Sequence, residues 1–335
     1  MTTYYVDVTT GDNSDTGLTE ALAWADLGYA ANQVAAGDLV YVKNTASYVV
    51  ADPDTATCVF EITTAGSVST PIVWEGYTTT PGDGGVAIVD ANTNTLANAC
   101  LSTLGPMYNV FKSMRFTGGS GIGFSATDGD GNKYVDCRFD NNDGGGVIVD
   151  NYSFFINCLA DNNGGDGFES DTGVDYIGCI SHTNSGDGFT TENSAFLVFC
   201  QSYNNGANNA IAMGSWGAGG CIVNCIVDGD NNGSSTGIYT LSTAGWVVLI
   251  NNIIFDCNVG ANGAAAAGQE RLFARNNLFY SNTTDRTNFP VGDDDVAGTE
   301  DPFTDSAGRD YSLKIDSEAE GAGYDGADAV TFWGL

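Results

Sequence analysis

The chain has 335 residues, of which 42 are acidic and 10 are basic, so its net charge at neutral pH is −32. A surface this acidic repels nucleic acids, anionic membranes and polyanionic glycans unless cations intervene, although a high-salt environment explains the acidity as well as a cation-binding role does. The sequence has no apolar run of membrane-spanning length and no basic and apolar leader, so we expect synthesis without a signal peptide.

The first predicted elements are a strand and one helix. Residues 4–8 alternate as a strand does, and apolar residues at helical spacing predict a helix between Thr19 and Gln33, with Gly37 after its end. A strand follows at residues 39–43. A short helix at this place would cover the open end of a stack of strands and prevent edge-to-edge pairing.

Cysteine recurs every 21 residues in the middle of the chain, and an asparagine lies five residues after each of the first four cysteines. The cysteines are Cys137, Cys158, Cys179, Cys200 and Cys221, and the asparagines are Asn142, Asn163, Asn184 and Asn205. A repeat this short cannot bury an apolar face alone, so it must stack on its neighbours. The sequence therefore predicts a solenoid.

Apolar and polar residues alternate around each cysteine, as in Val135, Cys137 and Phe139, and this period of two is typical of a β-strand. With one turn per repeat, equivalent residues lie about 4.8 Å apart and form internal ladders. We expect the cysteines to be buried thiols, since stacked side chains point the same way, and the asparagines to be hydrogen-bonded at a bend. These features predict an all-β, right-handed parallel β-helix.

After Cys200 the repeat lengthens, because Cys225, Asn252 and Asn277 continue the cysteine column at intervals of 25, 27 and 25 residues. The extra residues have to leave the coils as loops, and loops often carry function. We predict an N-terminal strand and capping helix in residues 1–50, β-helix coils in residues 51–285 and a C-terminal cap in residues 286–335. Phe332 and Trp333 are expected to cover the last coil.

Several segments resemble the pectate-lyase-like family of right-handed β-helix proteins. They are YYVDVTTGDNSDTG, GDLVYVK, PIVWEGYTTTPGDGG and the asparagine-bearing coils, together with DPFTDSAGRDYSLKIDSEAEGAG near the end. The resemblance covers nearly the whole chain, although Glu318 stands where the closing segment usually has a proline. It implies the fold and leaves the activity open, because the family includes lyases, epimerases, hydrolases and phage spike or coat-associated proteins.

A lyase of this fold needs a base, commonly Arg or Lys, that takes the proton α to a uronate carboxylate while a cation such as calcium neutralises that carboxylate. Lys133 and Arg138 are the candidate catalytic residues, and they lie near Asp136, Asp140 and Asp161 in the sequence. The alternative explanation of this cluster is a surface ion pair.

One outward column of the repeat is a candidate glycan-binding site. Its members are Asp140, Asp161, His182 and Tyr203. The Gly-His-Gly and Arg-Ile-Lys motifs of polygalacturonase-like enzymes are missing, and the single histidine supports neither a serine-type triad nor a zinc site. A solvated position is the alternative for His182.

Two segments resemble the front half of a calcium-binding loop, with oxygen ligands at alternate positions. The candidate ligands are Asp128, Asp130 and Asn132 in one segment, and Asp228, Asp230 and Asn232 in the other. Neither segment has the acidic residue that completes such a loop, because Phe139 and Tyr239 stand at the twelfth positions. Turns between coils give the same pattern without metal, so the cofactor is either calcium or none.

Two functions are compatible with these candidate residues. The expected one is a non-enzymatic virion or surface structural protein, such as a capsid-decorating or spike-like β-helix of a phage or archaeal virus. Its partner would be a virion coat or tail protein or a surface polysaccharide, and the resemblance implies a homotrimer. The alternative is an extracellular lyase or epimerase that acts on uronate polymers. The scarcity of basic residues and the missing catalytic motifs favour the structural protein.

Overall fold

The computed structural model describes residues 1–49, 57–91, 98–102, 107–127, 131–206, 209–214, 219–230, 235–240, 245–263 and 272–319. They belong to two compact units, Met1–Asp171 and Thr172–Leu335. Within these ranges no helix has the length and apolar character that a membrane span requires. The predicted division into cap, coils and cap remains a prediction.

In the first unit the chain passes repeatedly through three parallel sheets. The first sheet contains β1 (Thr3–Val6), β2 (Leu39–Lys43), β4 (Ile72–Tyr77), β7 (Asn109–Lys112), β10 (Lys133–Val135) and β13 (Phe154–Ile156). The second contains β5 (Ala87–Asp90), β8 (Met114–Thr117), β11 (Arg138–Asp140) and β14 (Leu159–Asp161). The third contains β3 (Cys58–Ile62), β6 (Asn98–Ser102), β9 (Phe124–Ala126), β12 (Val147–Val149) and β15 (Phe168–Thr172).

The second unit repeats this arrangement. Its first sheet contains β16 (Asp175–Ile177), β19 (Phe196–Val198), β22 (Gly220–Val223), β25 (Val247–Ile250) and β28 (Leu272–Arg275). Its second contains β17 (Ile180–His182), β20 (Gln201–Tyr203), β23 (Ile226–Asp228), β26 (Ile253–Phe255), β29 (Leu278–Tyr280) and β31 (Val296–Gly298). Its third contains β18 (Phe189–Asn193), β21 (Asn209–Met213), β24 (Thr236–Thr240), β27 (Val259–Gly263) and β30 (Thr284–Thr287). An antiparallel hairpin follows, β32 (Phe303–Asp305) and β33 (Asp310–Leu313). The predicted right-handed parallel β-helix is confirmed.

The helix predicted between residues 19 and 33 is much shorter than expected. The chain forms a 3-10 turn, η1 (Glu20–Leu22), and an α-helix, α1 (Leu27–Ala31). Asp26 fixes the start of α1, because its carboxylate accepts a hydrogen bond from the backbone N–H of Tyr29 at 2.7 Å. Trp24, which the pattern places on the helix, forms a parallel β-bridge with Val6 instead.

From β7 onwards, a single left-handed residue separates the first sheet from the second in each coil. Asp136 has φ of +53°, and Asn157 has φ of +52° one coil later. This residue resets the alternation of side chains, so Tyr134 faces the core together with Phe139, whereas Val135 lies half-buried on the outside. The prediction of one continuous strand through each cysteine, with Val135 inside, is therefore wrong.

The asparagine ladder lies at the bend between the second and third sheets, as predicted. In the first unit the side-chain amide of Asn142 donates to Oδ1 of Asn163 at 2.9 Å. In the second unit Asn184 donates to Oδ1 of Asn205 at 3.0 Å, and its backbone N–H reaches the same oxygen at 3.1 Å. Each amide satisfies polar groups of the next coil, which would otherwise be buried without a partner.

The cysteine column lies at the bend between the first and second sheets. All nine cysteines are free thiols, as expected. Later coils continue the column with amides, because the backbone N–H of Cys225 donates to Oδ1 of Asn252 at 2.9 Å. The amide of Asn252 in turn donates to Oδ1 of Asn277 at 2.9 Å, so the predicted continuation at longer spacing is confirmed.

Aromatic rings fill the core of the first unit. Phe111 and Tyr134 stack with their ring centres 5.4 Å apart, and Tyr134 and Phe155 stack at 4.5 Å. These three rings occupy the same inward position of β7, β10 and β13, which pair in register. The stacking adds to the area that each ring removes from water.

We expect Asn184→Leu to lower the free energy of unfolding by about 1–3 kcal/mol, because it leaves buried polar groups of the neighbouring coil without a partner. Chemical denaturation measures this loss. The matched control is Asn44→Leu, since the side chain of Asn44 is half-buried and makes no hydrogen bond within the described part of the chain. Equal losses in the two variants would contradict the ladder assignment.

We also expect the native protein to react rapidly with an alkylating reagent at one cysteine only. Eight of the thiols are buried and Cys221 is partly exposed. Mass spectrometry should find one added group in the native state and nine after unfolding without a reductant. Cys221→Ser should remove the fast reaction, and a fast reaction at several sites would show that the ladder is open to solvent.

Candidate functional site

A groove of about 550 Å³ lies on the outer side of the first sheet in the first unit. The residues that shape it are Val68, Tyr108, Val110, Lys133, Tyr152 and Phe154. Its wall is thus mostly aromatic and aliphatic, with one basic side chain. Pockets of this size, apolar with few polar groups, are typical ligand sites.

Strand register positions the basic residue in this groove. Val110, Lys133 and Phe154 are paired in register on β7, β10 and β13. Since neighbouring strands lie about 4.8 Å apart, Lys133 stands between an aliphatic and an aromatic side chain. Tyr152, which precedes β13, has φ of +56° and is 61% exposed, so its ring extends into water at the edge of the groove.

A glycine makes room for a second tyrosine. Gly131 has φ of +74°, and a Cβ atom there would lie 2.6 Å from Cε1 of Tyr108. Only glycine fits this position without moving the ring, and only glycine adopts this backbone conformation at no cost. The left-handed Gly131 before β10 thus leaves space for the ring of Tyr108, and Tyr152 itself is left-handed before β13.

Lys133 differs from the other basic residues because, among the residues that the structure describes, it has no ion-pair or hydrogen-bond partner. The other eight basic side chains in the described ranges each lie within 3.8 Å of a carboxylate. Its side chain is exposed in the groove. A lysine side chain without a carboxylate partner can contact an acidic ligand.

Arg138, the other candidate base, is held in a ladder of ion pairs with buried carboxylates. Its Nε and Nη2 donate to the two oxygens of Asp161 at 2.9 and 2.8 Å, and Nε also lies 3.2 Å from Asp140. Arg115 forms the same bidentate contact with Asp140, since its Nε and Nη2 donate to the two carboxylate oxygens at 2.7 Å each. That hydrogen bonding to Asp140 raises the pKa of Arg115.

The ladder has a structural role that sequence analysis missed. Asp140 and Asp161 are 0% and 2% exposed and pair in register on β11 and β14, so their charges would repel without the two guanidinium groups. Arg115 was the missing partner, and its place one coil before Arg138 in the same column could have revealed it. The structure places Lys133 on the first sheet and Arg138 on the second, so the two candidate bases do not share one site.

The other half of the predicted glycan column lies in the second unit. His182 and Tyr203 pair in register, and their rings stack with centres 4.8 Å apart. The guanidinium of Arg309 lies 5.1 Å from the ring of Tyr203 on the second sheet. Asp140 and Asp161 hold arginines in the first unit, as described above. Glycan binding by this column remains a prediction.

Two of the predicted calcium ligands bind a cation supplied by the protein itself. The guanidinium of Arg309, in the turn of the C-terminal hairpin, contacts both Asp228 and Asp230. The hydroxyl of Tyr311 donates to Asp228 at 3.0 Å. Sequence analysis missed this contact, because Arg309 lies 81 residues from Asp228 and no repeat links them.

The remaining predicted ligands do not form a metal site within the described residues. Asn132 is buried, and its Oδ1 accepts the backbone N–H of Asn109 at 3.0 Å. Asp128, Asp130 and Asn232 lie outside the described residues. In the described ranges, no group of three or more His, Cys, Asp or Glu side chains is arranged to hold a metal ion. Calcium therefore remains a prediction.

Comparison with known proteins identifies the fold. No protein-family model and no curated protein matches the chain. A solved pectate lyase, Pel9A, is similar with a TM-score of 0.77 and 18% identity, over 97% of this chain and 92% of that one. A rhamnogalacturonan lyase is similar with a TM-score of 0.67 and 17% identity, over 88% of this chain and 87% of that one. An alginate lyase from Paenibacillus sp. has a TM-score of 0.57 and 14% identity, over 80% of this chain and 93% of that one. The predicted pectate-lyase-like resemblance is confirmed at the level of the fold.

These similarities overturn the functional prediction. The interpretation as a non-enzymatic virion or surface protein is wrong, and so is the expectation that the chain is not an enzyme. The similar structures are named as lyases, and they favour the alternative of a polysaccharide lyase or epimerase. The error came from treating missing hydrolase motifs and few basic residues as signs of inactivity, although elimination needs only one base.

A test of the second unit follows from Asp228. Burial raises the pKa of this carboxyl to about 6, and the neighbouring Asp230 adds to the increase. The unfolded value is about 3.9, so between these pH values only the folded state keeps the proton. The stabilisation is complete below pH 3.9 and is lost as the pH rises through 6, by about 3 kcal/mol.

Asp228→Asn should remove this dependence. We expect the difference in free energy of unfolding between the native sequence and this variant to fall as the pH rises from 4 to 7, as measured by denaturation at each pH. Asp143→Asn, at an exposed carboxylate, is the control. A difference that stays flat across this range would show that Arg309 keeps Asp228 ionised throughout.

Proposed function

We propose that the chain is a lyase that cleaves uronate polysaccharides, with the groove around Lys133 as its active site. One observation supports this most directly. Lys133 is the one basic side chain, among those described, that has no carboxylate partner, and it lies in a groove lined by aromatic rings. The names of the similar structures, pectate, rhamnogalacturonan and alginate lyase, indicate the substrate class.

The groove suits a sugar acid in two ways. The rings of Tyr108, Tyr152 and Phe154 can pack against the C–H faces of sugar residues, as aromatic side chains do with other apolar surfaces. The amine of Lys133 lies among them and can reach the acidic part of the sugar. A neutral apolar ligand would leave this amine without a partner.

The reaction that fits is β-elimination. Nζ of Lys133 is the proposed base that takes the proton on the carbon next to the carboxylate, and the electrons of that C–H bond form a carbon–carbon double bond. The bond to the glycosidic oxygen breaks, and this oxygen leaves with a proton taken from solvent. The products are a shortened chain and an unsaturated uronate.

The charge of the protein makes a cation necessary. A chain with a net charge of −32 repels a polyanionic substrate, and elimination also requires that the substrate carboxylate be neutralised. Calcium is the cation that we propose for both purposes, and because the described residues form no metal site, it would be held chiefly by the substrate carboxylate. Because such polymers are found outside cells, we also propose an extracellular location.

We expect Lys133→Ala to reduce lyase activity by at least about 10²-fold, the usual contribution of a general base. The assay follows unsaturated uronates by ultraviolet absorbance, with pectate, rhamnogalacturonan and alginate as substrates in the presence of calcium. Lys112→Ala is the matched control, because Lys112 lies on the neighbouring strand and pairs with Glu75 at 3.6 Å.

Three results would contradict the proposal. The first is that the native chain releases no unsaturated product from any of the three polymers. The second is that Lys133→Ala keeps full activity, and the third is that Lys112→Ala loses as much activity as Lys133→Ala. A chelator should abolish the activity and added calcium should restore it. Activity that persists in the chelator would contradict the proposed cofactor alone.

A further inference from the structure

The outer side of the first sheet in the second unit is apolar between Asp175 on β16 and Arg275 on β28. Its outward residues include Phe196, Val198, Val223, Val248, Ile250 and Phe273. Trp246, which directly precedes β25, lies beside them in the sequence. These seven residues are called the apolar face below. Phe196, Trp246 and Phe273 are 44%, 51% and 49% exposed, so about half of each aromatic side chain lies in water.

The composition of the apolar face contrasts with the acidity of the whole chain. The outward positions of β19, β22 and β25 carry no charge, although the protein has 42 acidic residues. In a solvent-exposed sheet, outward residues are normally polar. On the second sheet of the same unit the outward column contains His182, Tyr203 and Asp228. Exposed apolar side chains are therefore concentrated on one of the sheets of this unit.

The size of the apolar face argues against a protein partner. An aromatic side chain has about 150–250 Å² of surface, so the three half-exposed ones leave roughly 300 Å² in water. The four half-buried aliphatic residues add a smaller area. A stable protein interface buries about 800 Å² on each side. A patch of a few hundred Å² is in the range of the functional patches found on single proteins.

The spacing of the rings suits a chain of sugars. Phe196 and Phe273 belong to one register column, with Cys221 and Val248 between them. Three strand spacings separate the two rings, or about 14 Å. One strand spacing is close to the length of one sugar residue in a polysaccharide. A chain laid across the strands can therefore place successive sugar faces over both rings.

The charge decides which kind of sugar fits. A net charge of −32 disfavours an acidic chain, and the apolar face has no basic residue at its centre to offset this. At its edge Arg275 pairs with Asp294 at 3.8 Å. An uncharged sugar chain meets no such repulsion, and its C–H faces can stack on the rings.

We propose that the apolar face binds a neutral polysaccharide chain, at a second binding site that is separate in chemistry from the groove at Lys133. The preference for a sugar over another apolar ligand rests in part on the proposed function. The site would attach the enzyme to neutral glycans that accompany its acidic substrate.

The test uses the full chain and neutral oligosaccharides of glucan, mannan, xylan and galactan type. Binding is followed by tryptophan fluorescence and by affinity electrophoresis. We expect at least one of these sugars to bind, and Phe273→Ala and Trp246→Ala each to raise its Kd by about tenfold. Ile315→Ala is the control, because Ile315 is an exposed apolar residue outside this face. Circular dichroism checks the fold of each variant, and Phe196→Ala serves if one of them fails to fold.

The outcomes separate this proposal from the proposed function. Lys133→Ala should bind the neutral sugar as the native chain does, and Phe273→Ala should keep its activity on short acidic oligosaccharides. Binding without lyase activity would refute the lyase alone. If none of the sugars binds, or if binding is unchanged in the variants, the apolar face is not a sugar site. Self-association that Phe273→Ala abolishes would identify it as an interface between copies and would also overturn the proposal.

Discussion

The structure depends on one constraint, which is that each residue of a coil stacks on the equivalent residue of the next coil. Amides satisfy amides in this arrangement, as Asn142 and Asn163 do, and thiols pack in columns of thiols. Carboxylates cannot stack in this way without help, since buried like charges repel. Arg115 and Arg138 solve this problem for Asp140 and Asp161, and they are consequently unavailable for other roles.

The sequence predicted the features that repeat. The 21-residue period was enough to predict the fold, the free thiols and the asparagine ladder. Equivalent positions of successive coils stack, so a residue that recurs at this period contacts the same residue type in the next coil. The sequence did not show which side of a strand faces outwards. One left-handed residue such as Asp136 shifts the alternation by one position, and no simple period reports this. The same shift leaves Ile177, which precedes the left-handed Gly178, 41% exposed.

The candidate site was predictable only in part. Lys133 stood out as one of few basic residues in the repeat, but its lack of a carboxylate partner among the described residues is a property of the folded chain. Arg309 could not be connected to Asp228 from the sequence, because the hairpin that carries it lies outside the repeat. In a chain with so few basic residues, the informative quantity is which of them lacks a partner, and this requires coordinates.

The absence of disulfides has a consequence for how the chain matures. All nine cysteines are free, so oxidation contributes nothing to the stability of the fold and the protein can fold in a reducing compartment. In the folded protein only Cys221 is partly exposed to oxidants, because the other eight thiols are buried. An unfolded chain exposes all nine to oxidation and to incorrect pairing. The order of folding and oxidant exposure thus decides whether the columns of thiols can form.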